Sequence, residues 1–233
     1  MRTLALLIFL MAIPSSVLAQ GFISPVDGIS AQTPSYVILP DGTKIEGTVP
    51  LAMFMNGTLR SITLKTADGE KAKYKAADVK VLANKPSALA KMSAMSDQVD
   101  SLRDLITADW GEVMQREWVM FEQALLPGKG DKYALMQLIN PGFDSRISVY
   151  FDAKAASNDD SVMGISTAPA ESYIVVKDGK RSVQVKKSGY KKNMFDELFA
   201  DCAPLMKSAV AEKPKFKNFA LHVYAYDQAC GKK

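Results

Sequence analysis

Histidine is almost absent from this sequence, which contains His222 and no other. A Ser-His-Asp triad would have to use this residue, and no G-x-S-x-G nucleophile motif is present, since GISTA at 164–168 lacks the final glycine. A Cys202–His222 dyad is conceivable, because a thiolate nucleophile needs a nearby base. We interpret His222 instead as a partly buried helix residue, and we predict no catalytic residue.

The sequence also lacks the side chains of a metal or nucleotide site. One histidine and two separated cysteines do not make a standard structural zinc site. The segment SNDDS at 157–161 offers Asp159 and Asp160, but it has neither the spacing nor the distal glutamate of a calcium loop. No P-loop and no G-x-G-x-x-G motif is present. The sequence therefore predicts no cofactor and no metal.

Long apolar runs are confined to the beginning of the chain. Arg2 precedes an apolar run over 4–13, Pro14 breaks that run, and a plausible cleavage site follows Ala19. This layout is typical of a secretory signal peptide over 1–19, whereas a transmembrane helix would need about 20 apolar residues. We therefore expect an exported protein, periplasmic or secreted, with no transmembrane anchor in its mature chain.

A strong excess of one charge is missing as well. Lysine and arginine number 29, aspartate and glutamate number 25, and the formal net charge is +4. Domains that bind nucleic acid are usually far more basic, so we expect no nucleic-acid partner. The hydrophobic fraction of 48% is sufficient for a core, and the oligomeric state stays open.

Both cysteines, Cys202 and Cys230, lie near the end of the chain. In an oxidising compartment a lone close pair usually forms a disulfide. Closing a loop of about 29 residues in this way contributes roughly 3–4 kcal/mol to stability. The alternative is a reactive thiol, which fits an exported protein less well.

Three Asp-Gly pairs predict β-hairpins. They lie at 41–42 in PDGTKIEGTV, at 68–69 in TADGEKAKY and at 178–179 in VVKDGKRSVQV. Residues 20–34 are rich in glycine, proline and serine and predict a flexible lead-in. Alternating apolar and polar residues follow, so we expect a small antiparallel β domain at 35–83, barrel-like or a meander.

Beyond Pro86 the pattern changes to apolar residues spaced by three and four. This spacing predicts an amphipathic helical segment over 86–127, which includes Phe121 and Leu125. Residues 132–233 mix strand and helix patterns and predict an α+β domain. The predicted fold class is therefore α+β, a small antiparallel β domain joined by a helical connector to a C-terminal α+β domain.

The last apolar segment, FKNFALHVYAYDQAC, fits either a helix or a strand. We favour the helix because it returns Cys230 to Cys202 across a helical hairpin. The C-terminal domain is therefore expected to carry a disulfide-linked helical hairpin.

Several segments carry a resemblance to known proteins. They are DGTKIEGTV…ITLKTADGEKAKYKAADVKVL, LMQLINPGFDSRISVYFD, SYIVVKDGK and MFDELFADCAPLMK…HVYAYDQAC. Together they resemble a group of uncharacterised exported proteins of the Bacteroidetes phylum. The resemblance implies export and a paired Cys202 and Cys230, and it implies no activity. The first block is also loosely similar to Sm-like domains, which bind RNA, but export argues against that function and small barrels recur with unrelated functions.

Basic residues are concentrated between 177 and 192, where Asp178 is the one acidic residue among them. If these side chains converge, they form a patch for an anionic surface such as phospholipid, envelope polysaccharide or an acidic protein. The alternative is a solvated hairpin whose lysines protect an edge strand. This basic patch consists of Lys177, Lys180, Arg181, Lys186, Lys187, Lys191 and Lys192.

These observations favour a non-enzymatic binding or scaffolding protein of the cell envelope or secreted space, with an envelope protein or an anionic surface polymer as partner. The alternative is a secreted hydrolase that uses carboxylates in a cleft between the β domain and the C-terminal domain. The sequence does not show which of its 25 acidic residues converge. An acid-lined pocket between the two domains would favour the hydrolase. A redox role for Cys202 and Cys230 is a third hypothesis.

Overall fold

The computed structural model describes residues 21–26, 28–55, 57–96, 114–128, 130–153, 172–208, 211 and 214–231. The predicted signal peptide at 1–19 and the SNDDS segment at 157–161 lie outside the described residues.

Five strands follow one another in the N-terminal half, and two of the predicted Asp-Gly hairpins are confirmed here. Gly42 and Gly69 adopt the left-handed backbone conformation that their turns require, with φ of 89° and 92°. The first hairpin pairs β1 with β2 and the second pairs β3 with β4. The strands are β1 (Ser35–Ile38), β2 (Lys44–Met55), β3 (Thr58–Lys65), β4 (Lys71–Lys75) and β5 (Val81–Asn84).

Two further strands, β6 (Val119–Leu125) and β7 (Tyr133–Gln137), close these strands into an antiparallel barrel. The order around the barrel is β2-β1-β5-β6-β7-β3, and β3 pairs back with β2, while β4 extends the edge of β3. The barrel therefore extends beyond the predicted β domain at 35–83. It takes β6 from the predicted helical segment and β7 from the predicted α+β domain.

The predicted helical segment over 86–127 is wrong in its last part. Residues Ala88–Ser96 form helix α1, residues 97–113 lie outside the described residues, and β6 replaces the predicted end of the helix. Phe121 is buried inside the barrel, and its neighbour Glu122 faces outward, which is strand alternation. Pairing with β5 and β7 decides the conformation of this segment.

The predicted flexible lead-in at 20–34 is also corrected by the structure. Its apolar side chains are packed: Phe22 contacts Phe219, and Val26 is buried in the barrel core. The Ile23 N–H donates to the carbonyl oxygen of Ile139 at 2.8 Å. Apolar side chains and a backbone hydrogen bond therefore fix a segment whose glycine and proline content predicts a loop.

A second antiparallel sheet, in the order β10-β9-β8, forms the C-terminal half. Its strands are β8 (Ile147–Phe151), β9 (Ser172–Lys177) and β10 (Val183–Lys186). The third predicted hairpin is confirmed, because Asp178 and Gly179 turn β9 into β10 with φ of 51° and 70°. Positive φ at both residues is the geometry that a tight hairpin turn needs.

Three helices pack on this sheet: α2 (Lys192–Phe199), α3 (Ala203–Met206) and α4 (Phe219–Cys230). The helical interpretation of the last apolar segment is thus confirmed. Val149, Val175 and Val185 of the sheet share one core with aromatic side chains of the helices, including Phe195 and Phe219. The chain has both strands and helices, as the predicted α+β class requires.

The barrel and the second sheet meet where the chain leaves β7. The Leu138 N–H donates to Met120 of the barrel, and the Ile139 N–H donates to Val149 of the second sheet, each at 2.9 Å. A small core of apolar residues lies at this junction, between the outer face of the barrel and the side chains of Tyr150 and Ile174. The junction places two strands of each half side by side and leaves a cleft beside them.

Candidate functional site

A polar cleft of about 440 Å³ lies between strands β6 and β7 of the barrel and strands β8 and β9 of the second sheet. Side chains from both halves line it, because strand alternation turns Glu122 outward from the barrel core while Tyr150 reaches it from β8. The residues that carry the chemistry of this polar cleft are Glu122, Tyr133, Asp144, Arg146, Ser148, Tyr150, Asp178 and Lys180.

Glu122 and Tyr150 form the junction between the two walls of the cleft. The Tyr150 hydroxyl donates to Glu122 Oε2 at 2.8 Å. Burial raises the pKa of the Glu122 carboxyl, the hydrogen bond from Tyr150 opposes this, and the negative charge of Asp144 raises it further. Burial also raises the pKa of Tyr150, so its hydroxyl stays protonated. Glu122 therefore holds its proton more readily than an exposed glutamate.

The opposite wall carries Arg146, whose charge is already balanced by carboxylates of the protein. The Arg146 guanidinium binds both carboxylate oxygens of Asp178, and its Nη2 also donates to Asp201, all at 2.8 Å. The hydrogen bonds from Arg146 lower the pKa of Asp178. Lys180 is exposed at the edge. The cleft is therefore more suited to a neutral polar ligand than to an anion.

Asp144 is the carboxylate of the cleft with no hydrogen-bond partner among the described residues. Glu122 lines the same cleft, and Tyr133 lies partly exposed at its edge. Carboxylate oxygens accept hydrogen bonds from ligand hydroxyls, and tyrosine offers both a hydroxyl and an apolar ring. These side chains offer several hydrogen-bond acceptors and one hydroxyl donor within a single cleft.

Two residues of the predicted basic patch are engaged within the protein. Lys177 donates to the carbonyl oxygen of Leu198 at 2.7 Å and to Asp201 at 2.5 Å. Arg181 donates to carbonyl oxygens of the β6–β7 connection and to Asp131 at 2.9 Å. These two side chains hold the hairpin in place, so they do not form part of an open basic surface.

The other five residues of the basic patch are exposed but divided between the two ends of β10. Lys180 lies at the β9–β10 turn beside the polar cleft. The others lie roughly 17 Å along the strand, where Lys192 pairs with Asp196 at 2.5 Å. This end holds Lys186, Lys187, Lys191 and Lys192. Binding of an anionic surface there stays a prediction.

The predicted disulfide between Cys202 and Cys230 is confirmed. It joins the residue before α3 to the last residue of α4 and so links the C-terminal helices. Because both thiols are consumed, the Cys202–His222 dyad is excluded in this oxidised state, and neither cysteine is a free thiol.

His222 lies on α4 and is completely buried, more deeply than the predicted partly buried position. Its Nδ1 forms a hydrogen bond of 2.6 Å with the Tyr190 hydroxyl, and rings of Phe195 and Phe199 surround it. Burial lowers the pKa of His222 to about 4. His222 is therefore a neutral residue of the C-terminal core.

Neither a metal cluster nor a membrane span is found within the part of the chain that the structure describes. No group of three histidine, cysteine, aspartate or glutamate side chains there is arranged to hold a metal ion. Among the same residues, no helix combines the length and the apolar character needed to cross a membrane.

The alternative hypothesis places a cleft between the β domain and the C-terminal domain, but the sequence does not identify its residues because they come from separate strands. Glu122 lies within the predicted helical segment at 86–127, whereas strand β6 places it in the cleft. The local signal for the strand is that buried residues alternate with less buried ones, as Val119 and Phe121 do with their neighbours. Comparison of the chain with protein-family models, with curated proteins and with solved structures yields no match.

Proposed function

We propose that this chain is an exported, non-enzymatic protein that binds a neutral saccharide in the polar cleft. The observation that carries the proposal is the convergence of Glu122, Asp144 and Tyr133 between the barrel and the second sheet. Saccharides present rows of hydroxyl donors to such acceptors. The signal-peptide pattern at 1–19 and the disulfide support a place outside the cytoplasm.

The charges of the cleft favour a neutral ligand over a phosphorylated or sulfated one. Arg146 has two carboxylates as partners, so its charge is balanced within the protein. Lys180 is the one cation of the cleft lining without a carboxylate partner among the described residues. An anionic ligand would also meet the negative charge of Asp144, which already raises the pKa of Glu122, and like charges repel.

The carboxylate-dependent hydrolase is the second candidate, and one observation favours it. The polar cleft lies between the two halves of the chain and is lined by acids, as that hypothesis requires. A glutamate whose pKa burial raises, with a second carboxyl group in the same cleft, is a combination used for acid catalysis of glycoside cleavage. Cleavage also requires the scissile bond to lie between the two carboxyl groups, which binding does not require.

Titration calorimetry with neutral oligosaccharides tests both candidates on the mature chain. We expect saturable binding, weakened about tenfold or more by Glu122→Gln or Asp144→Asn, because each change alters a hydrogen-bond acceptor. Glu70→Gln, an exposed residue of the barrel turn at 66–70, is the matched control and should bind as the wild type does.

Assay of newly released reducing ends in the same mixtures separates the two candidates. Binding without release supports the binding protein. If the wild type releases reducing ends and Glu122→Gln abolishes this release, the protein is the hydrolase instead. Absence of binding to every neutral saccharide, with the protein folded, would contradict both candidates.

A further inference from the structure

A second pocket, apolar and separate from the polar cleft, lies on the barrel. It has a volume of about 280 Å³ and shares no lining residue with the polar cleft. Its walls come from the β2–β3 turn, from β6 and β7, and from the end of β8. We call it the apolar pocket, and its principal wall residues are Phe54, Leu59, Phe121, Leu135 and Phe151.

Gln137 lines the apolar pocket and carries a buried donor. The residue is 6% exposed, and its Oε1 accepts a hydrogen bond from the Val26 N–H at 3.3 Å. That N–H fixes the orientation of the amide, so Nε2 is the end that carries the hydrogens. Nε2 has no partner among the described residues. A buried donor of this kind is unusual in native proteins and calls for an acceptor.

Among the described lining residues, no other polar side chain is without a hydrogen-bond partner. The Thr58 hydroxyl already donates to the carbonyl oxygen of Met55 at 2.8 Å. Among the described lining residues none is charged. A carboxylate in the pocket would therefore be buried without a counter-ion, which is strongly unfavourable. A neutral carbonyl oxygen satisfies the amide without this penalty.

The end of β2 extends the apolar surface outward from the pocket. Phe54 lines the pocket and is 44% exposed, and its neighbours Leu51, Met53 and Met55 are exposed to a similar degree. The register shift between Met53 and Phe54 interrupts the simple alternation of the strand. Contiguous exposed apolar side chains mark binding surfaces, and methionine adapts well to flexible apolar ligands.

We propose that the apolar pocket binds a medium-length acyl chain through a neutral ester or amide carbonyl. Gln137 Nε2 donates to the carbonyl oxygen, the barrel residues enclose the first carbons, and the side chains at the end of β2 cover the remainder. This inference goes beyond the saccharide-binding proposal and does not depend on it, since the two sites share no residue.

Three probes of equal chain length test the inference: N-methyldecanamide, decanoate and decane. Calorimetry and the melting temperature of the mature chain report binding, because a ligand of the native state stabilises it. We expect N-methyldecanamide to bind saturably and at least tenfold more tightly than the other two. Gln137→Met should weaken the amide about tenfold and leave decane unchanged, since it removes one hydrogen bond.

A second pair of variants tests the rim. Phe54→Ser should weaken both the amide and decane, because it removes apolar contact without touching the donor. Leu221→Ser on α4, which is also exposed, is the matched control and should change neither. If Gln137→Met does not fold, the comparison of amide with decane on the wild type still decides the matter.

Three results would overturn the inference. The first is equal affinity for N-methyldecanamide and decane on the wild type. The second is the absence of saturable binding for either probe. The third is association with phospholipid vesicles that Phe54→Ser abolishes while the soluble amide does not bind, which would assign the rim to a membrane surface.

Discussion

The Arg146 guanidinium donates two parallel hydrogen bonds to Asp178, from Nε to Oδ1 and from Nη2 to Oδ2, each 2.8 Å long. The same guanidinium reaches Asp201, which also accepts from Lys177 and from the Tyr226 hydroxyl. The network ties the β9–β10 turn to the connection between α2 and α3 and to α4. Arg146 and Asp178 of this network also line the polar cleft, so the side chains that hold the C-terminal half together form one of its walls.

Arg146→Lys should lower the free energy of unfolding by about 2 kcal/mol, because lysine cannot reproduce the paired hydrogen bonds of a guanidinium. Urea denaturation measures the change. Lys44→Ala is the control, since the Lys44–Glu46 pair is exposed, and such pairs contribute about 0–1 kcal/mol. Equal losses in the two variants would contradict the special role of Arg146.

The network also predicts the pH at which the protein loses stability in acid. Burial would raise the pKa of Asp201, but hydrogen bonds from Lys177, Tyr226 and Arg146 outweigh it and hold the pKa at about 2. A carboxyl with a lowered native pKa stabilises the fold above its unfolded pKa and stops doing so as the pH falls toward 2. Arg146→Lys should therefore shift acid unfolding to higher pH, as circular dichroism during an acid titration would show.

His222 predicts a second and separate pH dependence. Its native pKa is about 4 against an ordinary value of 6.5, so protonation favours the unfolded chain. Stability should be full above pH 6.5 and should fall by about 3 kcal/mol as the pH drops to 4. Urea denaturation at a series of pH values measures the slope.

The control for this slope removes both polar partners. His222→Phe combined with Tyr190→Phe leaves no buried donor or acceptor at this position, so the variant should fold and lose the slope between pH 6.5 and 4. A slope that persists in this variant would assign the pH dependence to other groups.

The disulfide predicts a sensitivity to reductant. Cys202 and Cys230 are 28 residues apart, and replacing both with serine should lower the free energy of unfolding by roughly 3–4 kcal/mol in the chain-entropy account. Thermal melting with and without reductant measures this. Reductant should lower the melting temperature of the wild type and leave the double variant unchanged, and an unaffected wild type would contradict the prediction.

Gly47 predicts a strict requirement for glycine in β2. A Cβ at this position would overlap the carbonyl oxygen of Lys65 and lie 2.9 Å from its carbonyl carbon. Gly47→Ala should destabilise the protein by about 1–3 kcal/mol, since neighbouring backbone has to move. Gly189→Ala meets one atom at 3.8 Å and should stay within about 0.5 kcal/mol of the wild type.

The exposed lysines after β10 predict a salt-sensitive association with an acidic polysaccharide. Lys186→Glu with Lys191→Glu should weaken this association about tenfold, because local charge attracts such polymers. Lys71→Glu with Lys73→Glu on β4 makes the same change in net charge elsewhere and should have little effect. Equal losses in pull-downs at low salt would show that net charge alone is responsible.

The hairpins could be predicted from the sequence, whereas the barrel closure and both pockets could not. An Asp-Gly turn and its flanking alternation are local, and they identify β1–β2, β3–β4 and β9–β10. Strand β6 forms only by pairing with β5. In this pairing Phe121 lies opposite Leu82, which is distant from it in the sequence. Glu122 and Asp144 meet only after that pairing forms, so no local pattern brings them together.

The chain runs directly from β7 through Leu138 and Ile139 into the second sheet. The two halves therefore share backbone hydrogen bonds and form one folding unit. A fragment that ends before Val119 would lack strands β6 and β7 of the barrel. The strands that pair with them would then have unpaired edges, which promote aggregation. Truncation before Val119 is therefore expected to prevent folding of the barrel. The halves are expected to melt in one transition and to diversify together.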